Sequence, residues 1–488
     1  MRSNATIDFF EPVPYNIHKN ACKKEAQDME TKCDVLYLHA TKNPAGEDCL
    51  KFSIMPMGII GILNGLRQRG VQVIGMNYAM EKKADPDFDL YQTLSQMEYG
   101  IFMVDLHWYE HCFGAMYVAE QSKKAHPEVP VVIGGYTTTI YASEILENFP
   151  CVDYAVTGDS ELPTEMLTAY LLGKGGTLEE IPNLCYRREG KVVTSEKTWV
   201  QTELDSIDVI PVDFFRHAED IPYLGCNGVG KGRPNRWIEI ARGCKFNCAY
   251  CCGAKKNMKA LFRRCNILLR SPEKVAMDFK RLADDGITYI SPSHDFQMFG
   301  KAYYRKVFAQ IRKLGIRPGL YLECFQLPTR DFLEDVLQTF DPAMTDIVLS
   351  PISGNEELRR INGKMFSNEE LFETLAFLIA NRLPMQLYYT ENLIGETEEQ
   401  FLDTYFQIRY VHDVLGLRKK NLFYQRVVMD PLAGMREFPN TNVTLNTFMD
   451  YYRYCQIPTG NIGYTGFTDN GQMPVEQKRA MFKSVVGE

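Results

Sequence analysis

The hydrophobic pattern from residue 34 onward alternates short apolar runs with longer stretches whose apolar positions recur at helical spacing. Apolar runs of about four to eight residues are typical of strands buried on both faces, and the periodic stretches are typical of the helices between them. In residues 57–69 the apolar positions share one helical face, and Gly70 supplies a C-terminal stop. The first half is therefore expected to form an α/β, doubly wound, Rossmann-like sheet with parallel strands near 34–38, 71–75, 100–105, 129–133 and 152–156.

A second strand–helix series begins at residue 237, after a segment rich in Gly and Pro at 225–234. Ser271-Pro272-Glu273 has the signature of a helix start, with an N-cap, a proline at the first helical position and an acid in the first turn. Six strand–helix units predict a partial parallel (β/α)6 barrel with its chemistry at the carboxyl ends of the strands, near 237–241, 287–291, 319–324, 346–350, 385–390 and 421–427.

These patterns divide the chain into five expected parts. They are an N-terminal extension over 1–32, the Rossmann-like domain over 33–210, a linker over 211–235, the partial barrel over 236–430 and a small aromatic-rich C-terminal capping region over 431–488.

Composition narrows the class of protein. The 488 residues are 45% apolar and 24% charged, which is ordinary for a globular protein of two or three domains. The net charge of −8 argues against a nucleic-acid scaffold, and no apolar run approaches the length of a membrane span. The chain shows no export signal, so its fourteen cysteines are expected to be buried thiols plus a metal site rather than disulfides. A cytoplasmic protein is predicted.

Three of those cysteines stand together in one short loop. Cys244, Cys248 and Cys251 follow the predicted strand 237–241 with three and then two intervening residues. Three thiolates can hold three irons of a [4Fe–4S] cluster, and no further cysteine lies at ferredoxin-like spacing. The alternative, a zinc knuckle, needs a fourth N or S ligand that the adjacent Cys252 is poorly placed to supply. The pattern favours a cluster with one open iron.

This spacing, with the aromatic Tyr250 directly before the third cysteine, resembles the radical S-adenosylmethionine (SAM) superfamily over about residues 235–430. The resemblance implies that SAM binds the open iron. Asp295, after the second barrel strand, is expected either to receive the SAM ammonium group or to be a helix N-cap. Ile352 stands where relatives often carry an acid, so that part of the resemblance is incomplete. The implied SAM contacts are Tyr250, Asp295, Ser350, Ser353, Ile394 and Gly395.

The first half resembles the cobalamin-binding domain that precedes the barrel in many radical SAM enzymes. The resemblance rests on a Pro-Met-Gly helix start, the paired glycines at 134–135 and the run Val-Asp-Tyr-Ala-Val-Thr-Gly-Asp-Ser-Glu at 152–161. The D-x-H-x-x-G signature is absent, and Leu-His-Ala-Thr-Lys stands at 38–42 instead. His107 and His111 could approach the lower face of the cobalt, although a structural role at a strand end is the simpler interpretation. The implied cobalamin contacts are His107, Gly134, Gly135, Tyr136, Thr137 and Gly158.

The combined resemblance implies a cobalamin-dependent radical SAM enzyme, most of whose characterised members are methyltransferases. One SAM would methylate the cobalamin, and another would yield a 5′-deoxyadenosyl radical that takes hydrogen from an unactivated carbon. A small-molecule or peptide substrate and an electron donor such as flavodoxin or ferredoxin are the implied partners. Polar residues predicted to face into the barrel are catalytic or binding candidates, namely Glu239, Tyr321, Glu323, Tyr389, Glu391, Tyr424 and Arg426. Cys324, at the end of a predicted strand, is expected to be a packing residue, and a hydrogen-atom donor is the weaker alternative.

Three alternatives remain open at this point. A cobalamin-binding radical enzyme that rearranges or cyclises its substrate would carry the same motifs. A tRNA methylthiotransferase would be expected to have cluster-binding cysteines in its first domain and a basic tail, neither of which is evident. A non-catalytic iron–sulfur or cobalamin carrier would not need turns resembling those that bind SAM.

Overall fold

The computed structural model describes residues 31–51, 53–224, 232–439, 441–459, 466–468 and 473–487. Nearly all of the expected N-terminal extension and most of the Gly/Pro-rich segment of the expected linker lie outside these residues. The described residues form two compact units. One contains those up to Gln201 and those within Ser206–Arg233 and Asn446–Ile462, and the other contains those within Thr202–Asp205, Pro234–Leu445 and Gly463–Glu488. Residues of the expected C-terminal capping region therefore contribute to both units.

The first unit is built on a sheet of mostly parallel strands. Its strands are β1 (Lys32–His39), β2 (Val73–Asn77), β3 (Glu98–Asp105), β4 (Val131–Gly134), β5 (Tyr154–Val156), β6 (Leu184–Arg188) and β7 (Lys191–Thr194). Their order is β2-β1-β3-β4-β5-β6-β7, with the first five parallel and the hairpin β6–β7 antiparallel. The Rossmann-like prediction is confirmed, whereas the hairpin was not predicted. Because the strand order reverses between β1 and β3, the carboxyl ends of these two strands form the switch point where such sheets bind ligands.

Helices pack on this sheet, and the second halves of its central strands β1 and β3 are completely buried. They are α1 (Met57–Gln68), α2 (Tyr78–Ala84), α3 (Leu90–Ser95), α4 (Cys112–Ala125), α5 (Tyr136–Asn148) and α6 (Glu161–Leu171). Helix α1 ends as the sequence predicts, because Gly70 takes a left-handed conformation (φ +78°) and its N–H bonds the Arg67 carbonyl at 2.9 Å. The core includes buried Val35 and Tyr37 of β1 and Ile101 of β3.

The second unit is a partial barrel. Its strands are β8 (Asn235–Ile238), β9 (Ala241–Arg242), β10 (Leu268–Leu269), β11 (Tyr289–Pro292), β12 (Gly319–Cys324), β13 (Thr345–Ile352), β14 (Met385–Thr390) and β15 (Leu422–Gln425). Within the described residues, six of them form one parallel sheet in the order β8-β11-β12-β13-β14-β15, and β9 and β10 make a separate antiparallel pair. The predicted partial (β/α)6 barrel is confirmed.

Helices connect the barrel strands and pack on the outside of the sheet. They are α7 (Lys255–Phe262), α8 (Pro272–Asp284), α9 (Lys301–Lys313), α10 (Arg330–Thr339), α11 (Glu356–Ile361), α12 (Asn368–Ala380) and α13 (Glu398–Asp413). The predicted start of α8 is correct, since the Ser271 hydroxyl accepts a hydrogen bond from the Lys274 N–H at 3.2 Å. Thr397 and Gln400 form a reciprocal capping box that fixes the start of α13.

The C-terminal elements are β16 (Asn442–Val443), α14 (Phe448–Gln456), β17 (Phe467–Thr468) and α15 (Val475–Val486). Within the first unit, α14 packs on α4, and the Cys455 thiol donates to the Tyr109 carbonyl at 3.1 Å. Within the second unit, α15 packs on α13 and β15. Across the described ranges, none of the helices has the length and apolar character that a bilayer crossing requires.

Candidate active site

The cysteine loop (residues 244–251) follows β9 and is fixed from outside by a segment that comes after β15. The Ala249 carbonyl accepts a hydrogen bond from the Met435 N–H at 2.8 Å. The N–H of Cys252 donates to the Asp430 carboxylate at 2.9 Å, and burial raises the pKa of that carboxyl to about 6. The loop is therefore positioned by residues nearly two hundred positions further along the chain, and sequence reasoning did not identify Asp430.

A second contact brings a glycine against the middle cysteine. Gly363 follows α11 with φ +92°, and a Cβ at this position would lie 2.9 Å from the Cα of Cys248. Only glycine permits so close an approach in this backbone conformation. The next residue, Lys364, points its Nζ to the Phe325 carbonyl at 2.8 Å, and burial lowers the pKa of this lysine. Asn-Gly after a helix was readable as a stop signal, but nothing local linked it to the cysteine loop.

The donor set fits an iron–sulfur cluster. The three thiols are half-buried and close enough to interact electrostatically; burial raises the pKa of Cys244, and raises that of Cys251 to about 12. Within the described residues, no three His, Cys, Asp or Glu side chains converge as they would on a single ion. A cubane cluster presents its three ligands with three different irons, so its thiolates do not need to converge on one point. Bound cations would stabilise the thiolates against the effect of burial.

Two of the implied SAM contacts meet at this loop. Tyr250 packs in one apolar cluster with buried Ile394 and in another with Ile352 and Leu393. The turn after β14 is pinned by Asn392, whose side-chain amide exchanges two hydrogen bonds of 2.8 Å with the backbone of Val427. Gly395 takes a left-handed conformation (φ +79°) with open space around its Cβ position. The structure thus brings Tyr250 and the turn containing Ile394 and Gly395 together.

The other implied SAM contacts have different surroundings. Asp295 is a helix N-cap, as the alternative interpretation stated: its Oδ1 accepts from the Gln297 N–H at 2.8 Å and its Oδ2 from the Phe325 N–H at 3.2 Å. Burial raises the pKa of Asp295 to about 6. The Ser353 hydroxyl is buried against Thr404 of α13 at 3.0 Å, so it does not face the barrel mouth. Ser350 is half-buried near the end of β13.

The inner face of the barrel carries an aromatic wall with the carboxylate of Glu323 beside it. The Tyr321 ring lies 5.8 Å from that of Trp237 and 6.4 Å from that of Tyr289, and its hydroxyl donates to Glu323 at 3.2 Å. Glu323 is exposed although β12 is an interior strand, so it lines the open space inside the partial barrel. Its protein surroundings nevertheless raise the pKa of Glu323 by desolvation.

Several residues predicted to face inward do not. Tyr389 donates to the Gln407 side chain of α13 at 3.0 Å, and Tyr424 stacks on Phe482 of α15 at 5.0 Å. The inward prediction is therefore wrong for these two tyrosines, because the hydroxyl of the first and the ring of the second contact outer helices. Cys324 lies by strand alternation on the face of β12 opposite Glu323 and is buried, in keeping with the packing role expected of it.

The remaining charged candidates are held in ion pairs. Glu239 pairs with Arg242 at 2.7 Å, and this guanidinium outweighs burial and lowers the pKa of the carboxyl. Glu391 pairs with Arg426 at 3.4 Å and with Arg479 of α15 at 2.6 Å. These carboxylates form their ion pairs directly after the last residues of β8 and β14.

In the first unit, hydrogen bonds and close packing join the loops after β3, β4 and β5 along one edge of the sheet. Gly135 (φ +120°) would place a Cβ 2.6 Å from the Leu106 backbone, so only glycine fits there. Thr137 donates its N–H and its hydroxyl to the His107 carbonyl at 3.2 and 2.9 Å. The Thr139 hydroxyl accepts from the Gly158 N–H at 2.9 Å. The glycine edge formed in this way brings together the residues predicted to bind cobalamin, His107, Gly134, Gly135, Tyr136, Thr137 and Gly158.

The glycine edge fits a bulky ligand. At Gly134 the nearest atom to a Cβ position is 3.7 Å away, so the backbone there can be approached closely. His107 is half-buried, and burial lowers the pKa of its imidazole.

A buried polar group lies beside this edge, at the switch point between β1 and β3. His39 Nδ1 and the Tyr37 hydroxyl both contact Asp105 Oδ1, at 2.8 and 2.7 Å, and the His111 ring lies 4.8 Å from that of His39. Burial opposes ionisation, but His39, His111 and Tyr37 together lower the pKa of Asp105 to about 2. The structural role considered for His111 is therefore consistent with its place here. His39, which replaces the missing signature, was not singled out by sequence reasoning.

The fold and the two sites define a class of protein, in which a Rossmann-like ligand domain precedes a partial barrel with a three-cysteine loop. Comparison with known families agrees. The family model for the B12 binding domain matches residues 47–168, and that for the Radical SAM superfamily matches residues 238–408. The chain belongs to the radical SAM enzymes that carry a B12-binding domain.

Individual relatives match parts of the chain at low identity. A protein of Pyrococcus horikoshii named "Uncharacterized methyltransferase PH0819" is 31% identical over 28% of this chain and 28% of its own length. A tRNA-2-methylthio-N(6)-dimethylallyladenosine synthase of Halalkalibacterium halodurans is 25% identical over 37% of this chain and 34% of its own length. The chain thus spans about a third of the length of these curated relatives.

A solved structure extends the likeness over most of the chain. The radical SAM methyltransferase TsrM of Kitasatospora setae, solved with tryptophan substrate and a SAM analogue, superposes with a TM-score of 0.66 at 16% identity. The match covers 93% of this chain and 89% of TsrM. At this identity the likeness shows a shared fold.

Proposed function

We propose that the protein is a cobalamin-dependent radical SAM methyltransferase that acts on an unactivated carbon of a small-molecule or peptide substrate. The observation that carries the proposal is the packing of Tyr250 against the apolar clusters that contain Leu393 and Ile394, because it joins the cysteine loop to the turn that the family resemblance assigns to SAM. The methyltransferase names of two similar proteins support it. When bound, the cluster and SAM supply a 5′-deoxyadenosyl radical, and cobalamin supplies the methyl group.

The chain's own residues bind and orient the three cofactors in this proposal. Cys244, Cys248 and Cys251 hold the cluster, the turn at residues 391–396 lines SAM, and the glycine edge of the first unit receives the cobalamin. Ser350, half-buried near the end of β13, and the backbone around Ser353 and Asp295 remain proposed SAM contacts. The reducing conditions that such cofactors need support a cytoplasmic location for the protein.

The inner face of the barrel suggests the kind of substrate. Trp237, half-buried and packed against the buried Tyr321, offers aromatic surface, and Glu323 offers a hydrogen-bond acceptor inside the open space of the barrel. A substrate with an apolar or aromatic body and a donor group fits these features. Exchanging Glu323→Gln keeps the shape and removes the charge, so it is expected to weaken binding of a cationic substrate more than it slows SAM cleavage.

The test of the radical step uses anaerobically reconstituted protein. With SAM and a reductant it should release 5′-deoxyadenosine, and a methylated product should be heavier by about 14 mass units. Cys248→Ala should abolish bound iron and sulfide, whereas Cys265→Ala, an exposed cysteine outside the loop, should not. Retention of iron by Cys248→Ala would contradict the ligand assignment.

The test of the cobalamin site is retention of the cofactor through gel filtration, read by its visible spectrum. Gly135→Ala should lose cobalamin because its Cβ would collide with the Leu106 backbone. Gly175→Ala is the matched control, since Gly175 also has positive φ but open space around its Cβ position. A chain that never retains cobalamin would refute the methyltransferase proposal and leave radical SAM chemistry standing.

A second candidate is methylthio transfer, which the similarity to a methylthio-adenosine synthase favours. Its product would contain sulfur as well as the added carbon. Product mass therefore separates the two, and a rearrangement or cyclisation would add no methyl mass at all.

A further inference from the structure

An exposed basic surface directly follows the cysteine loop. Residues 240–272 contain eight lysines and arginines and no acidic residue, in a chain whose net charge is −8. We name the α7 basic surface by its members Lys255, Lys256, Lys259 and Arg263, all of which are exposed. Within this surface, Lys256 lies 3.5 Å from the exposed Glu437, which is a weak kind of pair.

Hydrogen bonds attach this surface to the cluster-binding loop. The Lys255 N–H donates to the Phe246 carbonyl at 2.8 Å, and the Lys256 N–H donates to Asn247 Oδ1 at 2.9 Å. Both acceptors lie between Cys244 and Cys248. A protein that docks on α7 would therefore sit next to the residues that hold the iron–sulfur group.

An exposed apolar residue lies beside the same helix. The Asn257 side chain of α7 donates to the Leu432 carbonyl at 2.9 Å and to the Cys252 carbonyl at 2.8 Å. The Leu432 side chain is 39% exposed. A small apolar spot flanked by cations suits a transient interface, in which charge steers the encounter and little surface is buried.

We propose that the α7 basic surface is the docking site of a small acidic electron-transfer protein, an inference that rests on the proposed radical function. The donor loses one electron, the iron–sulfur group gains it, and no atom is exchanged. Net negative charge over the rest of the chain repels an acidic donor, so the local cations select where it binds. The choice of an acidic partner follows from the sign of this surface.

The decisive measurement is the affinity for oxidised flavodoxin, an acidic donor protein, followed by fluorescence anisotropy of the labelled flavodoxin. Lys255→Glu with Lys259→Glu reverses two charges on the surface. Lys306→Glu with Lys313→Glu makes the same charge change on exposed positions of α9. We expect the α7 variant to bind at least ~10-fold more weakly at low salt and to lose most of its salt dependence, with the α9 variant within ~2-fold of the unsubstituted protein. Equal affinity of the two variants would overturn the proposal.

A second readout separates docking from chemistry. With reduced flavodoxin, the α7 variant should form 5′-deoxyadenosine at least ~10-fold more slowly, whereas with dithionite, which needs no protein interface, its rate should be unchanged. Equal loss with both reductants would overturn the docking site, because it would mean that the substitutions disturb the cysteine loop. If the unsubstituted protein forms no 5′-deoxyadenosine with dithionite, the radical function itself fails, and the affinity comparison still decides the docking surface.

Discussion

Lys478 of α15 is predicted to hold the turn that we propose lines SAM. Its Nζ lies 2.5 Å from the Glu396 carboxylate and donates to the Glu391 carbonyl at 3.2 Å. One buried cation thus joins the two ends of the turn at residues 391–396. Lys478→Met should loosen this turn and detach the helix that carries the lysine.

The magnitude follows from burial. Lys478 and Glu396 are 0% and 2% exposed, so solvent does not screen the pair. Removing Lys478 takes the cation away from the buried Glu396 carboxylate, and breaking a buried pair in this way costs about 3–5 kcal/mol. That cost raises the locally open population by at least about a hundredfold. By contrast, Lys483→Met removes a charge from the last turn of the same helix and should cost about 1 kcal/mol or less.

Hydrogen exchange of the turn and of α15 measures this local opening without assuming that the two-unit protein unfolds in one step. SAM affinity should fall in parallel for Lys478→Met and remain near normal for Lys483→Met. Adding Glu396→Met to Lys478→Met removes the stranded charge and should restore most of the protection, because replacing both members of a buried pair is often nearly neutral. The reasoning is refuted if Lys478→Met and Lys483→Met exchange alike.

Two further predictions concern the cysteine loop and the first unit. Gly363→Ala should reduce the iron bound per chain, because its Cβ would lie 2.9 Å from the Cα of Cys248. Gly315→Ala is the control and should not reduce it, because Gly315 also has positive φ but open space around its Cβ position. Equal iron contents of the two variants would count against the contact. In the first unit, the pKa of Asp105 is held at about 2, below its unfolded value of about 4. The ionised carboxylate therefore stabilises the fold by about 2–3 kcal/mol above pH ~4. This contribution is lost as the pH falls from ~4 towards ~2. Asp105→Asn should remove this acid-sensitive component from the exchange rates around His39, and parallel pH profiles for the two proteins would contradict it.

The order and type of the elements were predictable because each long element carries its own periodicity. The hairpin β6–β7 is an element that the sequence analysis did not predict. Its turn is Glu189-Gly190, with φ values of +52° and +75°. The usual sequence signal for such a turn is Asn-Gly or Asp-Gly, because those residues tolerate positive φ. Here a glutamate occupies the first position, so the sequence lacks this signal although the backbone adopts the same conformation.

Which face of a barrel strand points inward could not be predicted in the same way. Parallel strands are buried on both faces, so an alternation of period two does not distinguish the lumen from the helix layer. Tyr389 and Tyr424 were assigned to the lumen because polar groups near a barrel mouth suggest function. The Tyr389 hydroxyl bonds Gln407 of α13 and the Tyr424 ring stacks on Phe482 of α15, so both side chains lie against outer helices rather than in the lumen. The predicted inward position of Glu323 was correct, since it is exposed on an interior strand.

The residues that sequence reasoning missed share a physical cause. Lys478 sits in a helix where a lysine normally indicates the solvent face. It is buried only because Glu391 and Glu396, more than eighty positions earlier, converge on the same place. Gly363 likewise acquires its importance from Cys248. A local sequence pattern indicates the structure that a segment prefers, whereas these contacts depend on a second segment that lies far away in the sequence. Since both contacts act on segments assigned to SAM or iron, the least predictable residues of this chain are those expected to fix the geometry of its cofactors.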